Sequence, residues 1–505
     1  MPNLEILIKD LPSYTLNQSI SGLEITGVAY DSRQVQAGNI FVCIQGYRYD
    51  GHAFAEQAVT AGAVAVVGER ELLHLPVPQI LVSDSRAALG LLAAAFWGYP
   101  SRSLRVIGVT GTNGKTTTTY LVKAVLEQAG FKVGLIGTIK NLIGSQEIAA
   151  GHTTPEAADL QALFAQMREA GVSHVVMEVS SHAIALERII GTEFDLGVFT
   201  NLTQDHLDFH QNFENYVATK VQFFAGVGSN AVKSGPKALI INNDDSVSQR
   251  IREVAAVPVY TYGFRNQPDI RAQEVELTQK GIHYSALTPS GEVDLNLRLL
   301  GQFNVYNSLA AVGVGLAEGI DLSLIKQALQ KASGVKGRAE LVDVGQDFAV
   351  VIDYAHTPDG LANILRTARD FTTGKLIVVF GCGGDRDRTK RPLMGKIAGE
   401  YADYTVVTSD NPRSEEPVQI CGDILPGLAE TASPGSYRVV VERREAIRYA
   451  LQLAGAGDVV VIAGKGHEDY QIFKDTVIHF DDQEEAAQIL RSSKWITVSL
   501  NIWKS

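Results

Sequence analysis

The chain changes polarity twice in quick succession after Leu104. Residues 105–109 form a short apolar, β-branched run, residues 111–116 are small and polar, and residues 117–130 carry Leu121, Val122, Val125 and Leu126 at helical spacing. This order predicts a strand, a tight loop and a helix. Toward the N-terminus, strand-like runs at 25–30, 39–42, 63–67 and 79–82 alternate with helical stretches at 54–61 and 85–97. That small α/β module ends at Gly98-Tyr99-Pro100-Ser101, whose glycine and proline break the preceding helix.

Beyond the loop the alternation continues. Strands are expected at 133–137, 174–179, 196–200 and 238–242, and helices at 157–170 and 212–225, with a linker holding Thr153-Thr154-Pro155. Residues 258–300 alternate polar and apolar positions, which predicts an antiparallel flap, and residues 301–307 open a helix rich in alanine and glycine. After Lys336-Gly337-Arg338, four apolar runs at 350–354, 376–380, 405–408 and 458–463 each open into a polar loop. The expected fold is α/β in three domains: a small N-terminal α/β module (1–100), a central P-loop ATPase-like, mostly parallel sheet (101–335) and a C-terminal Rossmann-like doubly wound sheet (336–505).

Composition narrows the classes. At 505 residues the chain exceeds what one core supports, and 45% hydrophobic with 20% charged residues is ordinary for a globular protein. A net charge of −12 argues against general nucleic-acid binding. Cys43, Cys382 and Cys421 lie far apart without metal-ligand spacing, so buried thiols in a reducing cytoplasm are expected. The N-terminal stretch MPNLEILIKDLP is unlike a leader, and no run reaches the roughly eighteen apolar residues of a membrane span. A cytoplasmic, monomeric enzyme acting on small molecules is the expectation.

The candidate chemistry starts at the loop Gly111-Thr112-Asn113-Gly114-Lys115-Thr116-Thr117. Backbone N–H groups and the positive end of the following helix suit a polyphosphate, Lys115 adds a point charge, and the Thr116 hydroxyl suits Mg²⁺. Val109 stands where the strict phosphate loop has glycine, so the match is to the shorter G-x-x-G-K-T form. Glu178 ends a buried strand at the sheet edge where ligands gather, and is a magnesium-ligand candidate against the alternative of a capping acid. Asp205, His206, Asp208 and His210 crowd a loop at the same edge; a metal or general-base site and simple helix capping both stay open. Lys220 on its apolar helix reads as a surface lysine with its stem laid along that face. Asp31-Ser32-Arg33 reads as a turn with a hydrogen-bonded Asp-Ser pair. The glycines at 381–384 lack G-x-G-x-x-G spacing, which excludes a nicotinamide site.

Together these motifs resemble the Mur ligases, ATP-dependent amide-forming enzymes of peptidoglycan precursor synthesis. The resemblance covers essentially the whole chain: GTNGKTT at 111–117, MEVSSH at 177–182, TNLTQDHLDFH at 200–210, the helix bearing Lys220, GQFNVYN at 301–307, GRAE at 337–340 and DYAHTPD at 353–359. HTTPE at 152–156, GCGGDRDRTKRPLM at 381–394, DNPRSEEP at 410–417 and GKGHEDYQ at 464–471 are similar to the members that add meso-diaminopimelate to UDP-N-acetylmuramoyl-L-alanyl-D-glutamate.

The resemblance implies a reaction and its residues. ATP would phosphorylate the D-glutamyl carboxylate, and the amine of the incoming amino acid would displace phosphate. Lys115 and the loop would hold the phosphates, Thr116 and Glu178 one Mg²⁺, and His206 a second. The lysine matching Lys220 is carbamylated by CO₂ in the family. Asn304, Arg338, Asp353 and Tyr354 match nucleotide-binding positions; Ser32 matches the UDP end of the substrate, and Thr153, Thr154, Ser180 and Arg188 its muramoyl-dipeptide end. For the amino acid, Arg413 offers a planar fork to the distal carboxylate, with Arg386, Asp410, Asn411, Pro412, Gly464 and Glu468 around it. The rivals are a lysine-adding ligase, which Arg413 argues against, a folylpolyglutamate synthase, and a non-catalytic P-loop switch.

Overall fold

A computed structural model describes residues 1–46, 49–203, 207–229 and 232–492. The chain divides into two compact units. The first holds Met1–Arg271 with Thr288–Ser290 and Leu309–Ile325; the second holds Ala272–Leu287, Gly291–Ser308 and the chain from Lys326 onward.

The first unit contains two sheets. The N-terminal sheet runs in the order β1 (Thr15–Leu16), β5 (Gln79–Leu81), β4 (Ala65–Gly68), β3 (Asn39–Val42), β2 (Gly27–Ala29), parallel except for β1. Its core is Ile40, Val42, Val67, Ile80, Leu89 and Leu92, and it continues onto Ala157 and Ala158 of the helix Ala157–Glu169.

The second sheet is built around β6 (Arg105–Thr110). Its neighbours are β10 (His174–Glu178) and β11 (Leu196–Phe199), both parallel to it. β7 (Val133–Ile136) lies outside β10, while β12 (Ala238–Asn242), β13 (Val259–Gly263) and the start of β14 (Ile270–Thr278) follow β11, all parallel. The chain therefore runs outward to β7, returns beside β6 and then crosses to its other side. Strand order reverses at β6, the place where open α/β sheets bind ligands at their carboxyl ends.

Two expectations need correction here. The stretch expected as a linker after β7 forms a hairpin, with β8 (Lys140–Ile143) antiparallel to β7 and β9 (Gln146–Ala149) antiparallel to β8. The stretch expected as flap from residue 258 begins instead with β13, which joins the parallel ladder through Leu239↔Val259 and Asn242↔Tyr262. Its Tyr262 is fully buried, so the apolar pull of the sheet outweighs the local alternation. The long alternating strands β14, β15 (Gly281–Thr288) and β16 (Gly291–Leu297) do follow the pattern from which a flap was expected.

The second unit is organised by a sheet in the order β17 (Glu340–Leu341), β18 (Ala349–Asp353), β22 (Val459–Ala463), β19 (Leu376–Phe380), β20 (Tyr404–Val407), β21 (Tyr437–Val439), parallel apart from β17. LIVVF in β19 and VVVIA in β22 are buried throughout, as expected of strands covered on both faces. Alternate residues feed two cores: Val351, Val378 and Val461 on one face, Val350, Val379 and Val460 on the other. All four predicted polar loops leave the same edge of this sheet. The hairpin β23 (Tyr470–Phe473) and β24 (Thr476–His479) stands beside them.

Candidate active site

In the first unit the site grows from the carboxyl end of β6. The helix Lys115–Gln128 starts two residues earlier than its apolar spacing suggests, so Lys115 and Thr116 belong to its first turn. Their N–H groups stand at the positive end of the helix dipole, where an anion is favoured. The preceding loop is braced from outside: Thr112 N–H donates to Asn201 O (2.8 Å), Asn113 N–H to Asn201 Oδ1 (3.1 Å), and Thr200 Oγ1 to Asn113 O (2.7 Å). Lys115 Nζ lies back over it, donating to the carbonyls of Gly111 (2.9 Å) and Thr112 (2.8 Å).

Lys220 departs from the surface-lysine reading. It is 1% exposed, and its Nζ donates to Thr110 Oγ1 (3.2 Å) and Gly111 O (3.0 Å). The cause is packing. Gly108 on β6 has no side chain, and a Cβ there would lie 2.6 Å from Cζ of Phe223. The helix Phe213–Gly226 therefore settles against the strand through Phe223. Lys220, one turn earlier on the same face, then reaches the end of β6. Both Lys115 and Lys220 thus end on one carbonyl, that of Gly111.

Thr116 Oγ1 donates to Glu178 Oε2 at 3.0 Å, joining the two proposed magnesium ligands. Thr138, which sequence reasoning passed over, donates to both oxygens of Glu178, through its N–H (2.9 Å) and its hydroxyl (3.1 Å), and its hydroxyl also contacts Thr153 Oγ1 (3.1 Å). Its position just after β7, on the ligand edge of the sheet, was the available signal. Thr154 Oγ1 donates to Glu178 O (2.8 Å) and accepts from Ser180 N–H (3.1 Å). Ser180 caps the short helix Ser181–Ala185. A hydroxyl and a carboxylate converging beside a helix start form a hard-oxygen donor pair that fits Mg²⁺.

Arg188 is no free surface charge: its guanidinium pairs with Glu156 (2.7 Å) and donates to Thr154 O (3.2 Å). Glu156 also meets Arg86 (3.4 Å), which in turn donates to Gln45 O (2.9 Å). Ser32 is buried, with its hydroxyl on Gln57 Oε1 (3.2 Å), while Asp31 pairs with Arg33 (2.6 Å): the turn is present, but these partners replace the expected Asp-Ser pair. His210 lies at ring contact with His182 (5.9 Å) and Tyr216 (5.1 Å). Asp205, His206 and the side chain of Asp208 lie outside the described residues.

The second unit gathers the other candidates. Tyr354 follows β18; its N–H donates to Gly337 O (2.9 Å), and the Arg338 guanidinium sits 5.2 Å above its ring. Asp353 accepts from Ala339 N–H (2.8 Å), and burial raises its carboxyl above the usual range. His467 packs on Tyr354 at 4.7 Å; burial, with Arg338 second, lowers its imidazole to about 4. Asn304 is buried and hydrogen-bonded to Leu300 O (2.9 Å) and Asn307 (2.8 Å).

The loop after β20 carries Asp410-Asn411-Pro412-Arg413. Arg413 has a left-handed backbone (φ 52°), and its Nη1 donates to Gly384 O at 2.8 Å. Gly384 allows this approach, since a Cβ there would lie 1.9 Å from Pro412 O. The glycines rejected as a dinucleotide fingerprint thus seat the DNPR loop. Asn411 Nδ2 donates to Glu468 Oε2 (2.8 Å), which also faces the buried Lys465 Nζ (3.3 Å). Asp410 lies against Gly464, and Arg386 is exposed beside Gly383. Beneath them Arg443, fully buried and paired with Asp482 (2.7 Å), donates to Ser409 O (3.3 Å) and Ala463 O (3.0 Å), fastening the roots of both loops. No sequence pattern marked Arg443.

Three segments match models of one family: residues 24–97 the model described as Mur ligase family, catalytic domain, 109–315 the Mur ligase middle domain, and 337–466 the Mur ligase, glutamate ligase domain. The chain belongs to the Mur ligase family. This Mur ligase is 50% identical to the UDP-N-acetylmuramoyl-L-alanyl-D-glutamate--2,6-diaminopimelate ligase of Syntrophomonas wolfei, across 96% of this chain and 98% of that one. It is 48% identical to the protein of the same name from Geobacillus thermodenitrificans, across 97% and 100%. A solved structure of a ligase with that name superposes with a TM-score of 0.69 at 32% identity, covering 92% of this chain and 95% of the other. Fold class, family and ligase chemistry expected from the sequence are borne out. All three cysteines are free and buried, as expected. Among the described residues no helix is long and apolar enough to cross a membrane.

Proposed function

We propose that this Mur ligase couples ATP hydrolysis to amide formation between UDP-N-acetylmuramoyl-L-alanyl-D-glutamate and meso-diaminopimelate, in the cytoplasm and as a monomer. The observation that carries the ATP end is the convergence of Thr116, Glu178, Lys115 and Lys220 on the carboxyl end of β6. Gly111, Thr112, Asn113, Gly114 and Thr117 line the phosphate cradle with backbone groups, and Lys115 swings from the loop carbonyls to the phosphates. Thr116, Glu178, a carbamate on Lys220 formed with CO₂, and His206 would hold magnesium. Bound there, Mg²⁺ supplies charge neutralisation for the transferred γ-phosphoryl group.

The remaining assignments belong to the same reading. Asn304, Arg338, Asp353 and Tyr354 receive the base and ribose. Ser32 takes the UDP end, in a domain of residues 1–100; Thr153, Thr154, Ser180 and Arg188 orient the dipeptide in the domain of residues 101–335. The D-glutamyl carboxylate attacks the γ-phosphoryl group, ADP leaves, and the diaminopimelate amine then displaces phosphate. Residues 336–505 select that amine. Arg413 forks onto the distal carboxylate, Glu468 faces an ammonium, and Arg386, Asp410, Asn411, Pro412 and Gly464 shape the rest.

The test is phosphate release measured over a panel of amino acids. It should require ATP and the UDP-dipeptide together with diaminopimelate, and lysine should be a poor substitute. Phosphate release indifferent to the amino acid would point to the nucleotide switch, and equal use of lysine to the lysine-adding relative.

A further inference from the structure

The motif GKGHEDYQ ends in a residue to which the reaction gives no part. Gln471 lies on β23, 3% exposed, and its Nε2 donates to the backbone carbonyl of Asp410 at 2.8 Å. Neighbouring bonds continue the contact. Ile472 N–H donates to Asn411 Oδ1 (3.0 Å), Arg413 N–H to Ile472 O (3.0 Å), and Lys474 N–H to Arg413 O (2.7 Å). Arg413 and Phe473 form a parallel bridge. The DNPR segment therefore lies along the hairpin as an added, irregular strand.

Two features make this attachment consequential. Arg413 holds a left-handed backbone that a β-carbon disfavours, so surrounding contacts must maintain it. The Asp410 carbonyl is the first group of the segment, and Gln471 reaches it by a side chain rather than by the ladder. A single carboxamide thus holds the first carbonyl of the segment that carries both Asn411 and Arg413, one residue beyond the root that Arg443 fastens.

We infer that Gln471 is a positioning residue for amino-acid selection, holding the DNPR segment so that the Arg413 fork meets the distal carboxylate of diaminopimelate. The inference rests on the functional reading above. It gives Gln471 no contact with substrate; its effect passes through Asn411 and Arg413. Lysine lacks that carboxylate, so its use depends far less on where the fork stands.

The experiment compares wild type, Gln471→Ala and Gln471→Glu in phosphate release, varying diaminopimelate, lysine, ATP and UDP-dipeptide in turn. Gln471→Glu keeps the shape and turns the donor into a carboxylate facing a carbonyl. The Michaelis constant for diaminopimelate should rise roughly tenfold in Gln471→Ala, the usual consequence of leaving a buried carbonyl without its donor, and further in Gln471→Glu. Constants for ATP and UDP-dipeptide should stay within about twofold, and the preference for diaminopimelate over lysine should fall by about the factor lost. If Gln471→Glu folds poorly, Gln471→Met, similar in volume and without a donor, carries the same comparison. Equal rises in all constants, or an unchanged preference, would overturn the inference while leaving the functional reading intact. A wild-type enzyme indifferent to diaminopimelate would overturn both.

Discussion

Arg413→Ala removes the fork and little else. Nη1 of Arg413 is held by Gly384 O at 2.8 Å, with Asn411 O farther off at 3.5 Å, and among the described residues the Nε and Nη2 hydrogens make no hydrogen bond. That leaves one edge of the guanidinium for a carboxylate. A hydrogen bond to a charged group contributes about 1.5–3 kcal/mol. Arg413 is only half-buried, so solvent screening lowers the pair to about 3 kcal/mol in total. At about 1.4 kcal/mol per tenfold change, kcat/KM for diaminopimelate should fall on the order of 100-fold. Alanine is the right replacement because it keeps a β-carbon at the left-handed φ of 52°, so the backbone cost stays in place; glycine would relieve it. Arg413→Lys keeps the charge and loses the planar fork, and should lie between, at roughly a tenfold loss. The assay is steady-state phosphate release with each substrate varied in turn. Lysine turnover and the constant for ATP should barely move. Loss shared equally by diaminopimelate, lysine and ATP would mean that Arg413 maintains the loop and not the selectivity.

Two further outcomes follow from the geometry. Lys220→Ala should reduce ligation by about 10²–10³-fold, a size typical of losing a group that stabilises the transferring phosphoryl, in a chain that stays folded by circular dichroism. Near-normal turnover would remove the carbamate assignment, and partial recovery with added short-chain acids would support it. His467 titrates near 4 in the fold and at 6.5 as a free imidazole, because burial and then Arg338 disfavour its charged form. The unfolded chain therefore gains the proton first as pH falls: stability from this group is complete above about 6.5 and is lost between there and about 4. His467→Gln should flatten that part of the curve of melting temperature against pH; an unaltered slope would count against the buried environment.

The loops of the two units differ in how they are stabilised. At the phosphate loop, backbone groups do most of the holding, and the side chains of Thr200 and Asn201 brace them from the next strand. In the second unit, the loops after β20 and β22 are fastened at their roots by a buried ion pair, Arg443 with Asp482, and the DNPR loop is held along one side by a hairpin. Removing one partner of such a buried pair typically costs about 3–5 kcal/mol, so Arg443 variants report on folding before they report on selectivity. Gln471 is the gentler probe because it carries no charge.

By itself the sequence determined whatever depends on local order. The run from Arg105 to Gln128 had to be strand, loop and helix, because apolar period, small residues and helical spacing act between neighbours in the chain. The continuous apolar runs at 376–380 and 459–463 had to be strands covered on both faces. The same local order placed Glu178, Asp410 and Gly464 at strand ends, where ligands gather. Family likeness added the chemistry. Only the tertiary structure decided what depends on residues far apart. Lys220 looks like a surface lysine until Phe223 settles over Gly108 and draws it under the loop. Thr138, Arg443 and Gln471 carry no motif that assigns them a task; their tasks come from carboxylates and carbonyls brought to them by other strands. The hairpin at 140–149 and the parallel placement of β13 were likewise settled by which strand edge was open and apolar, a property of the assembled sheet and of no single segment.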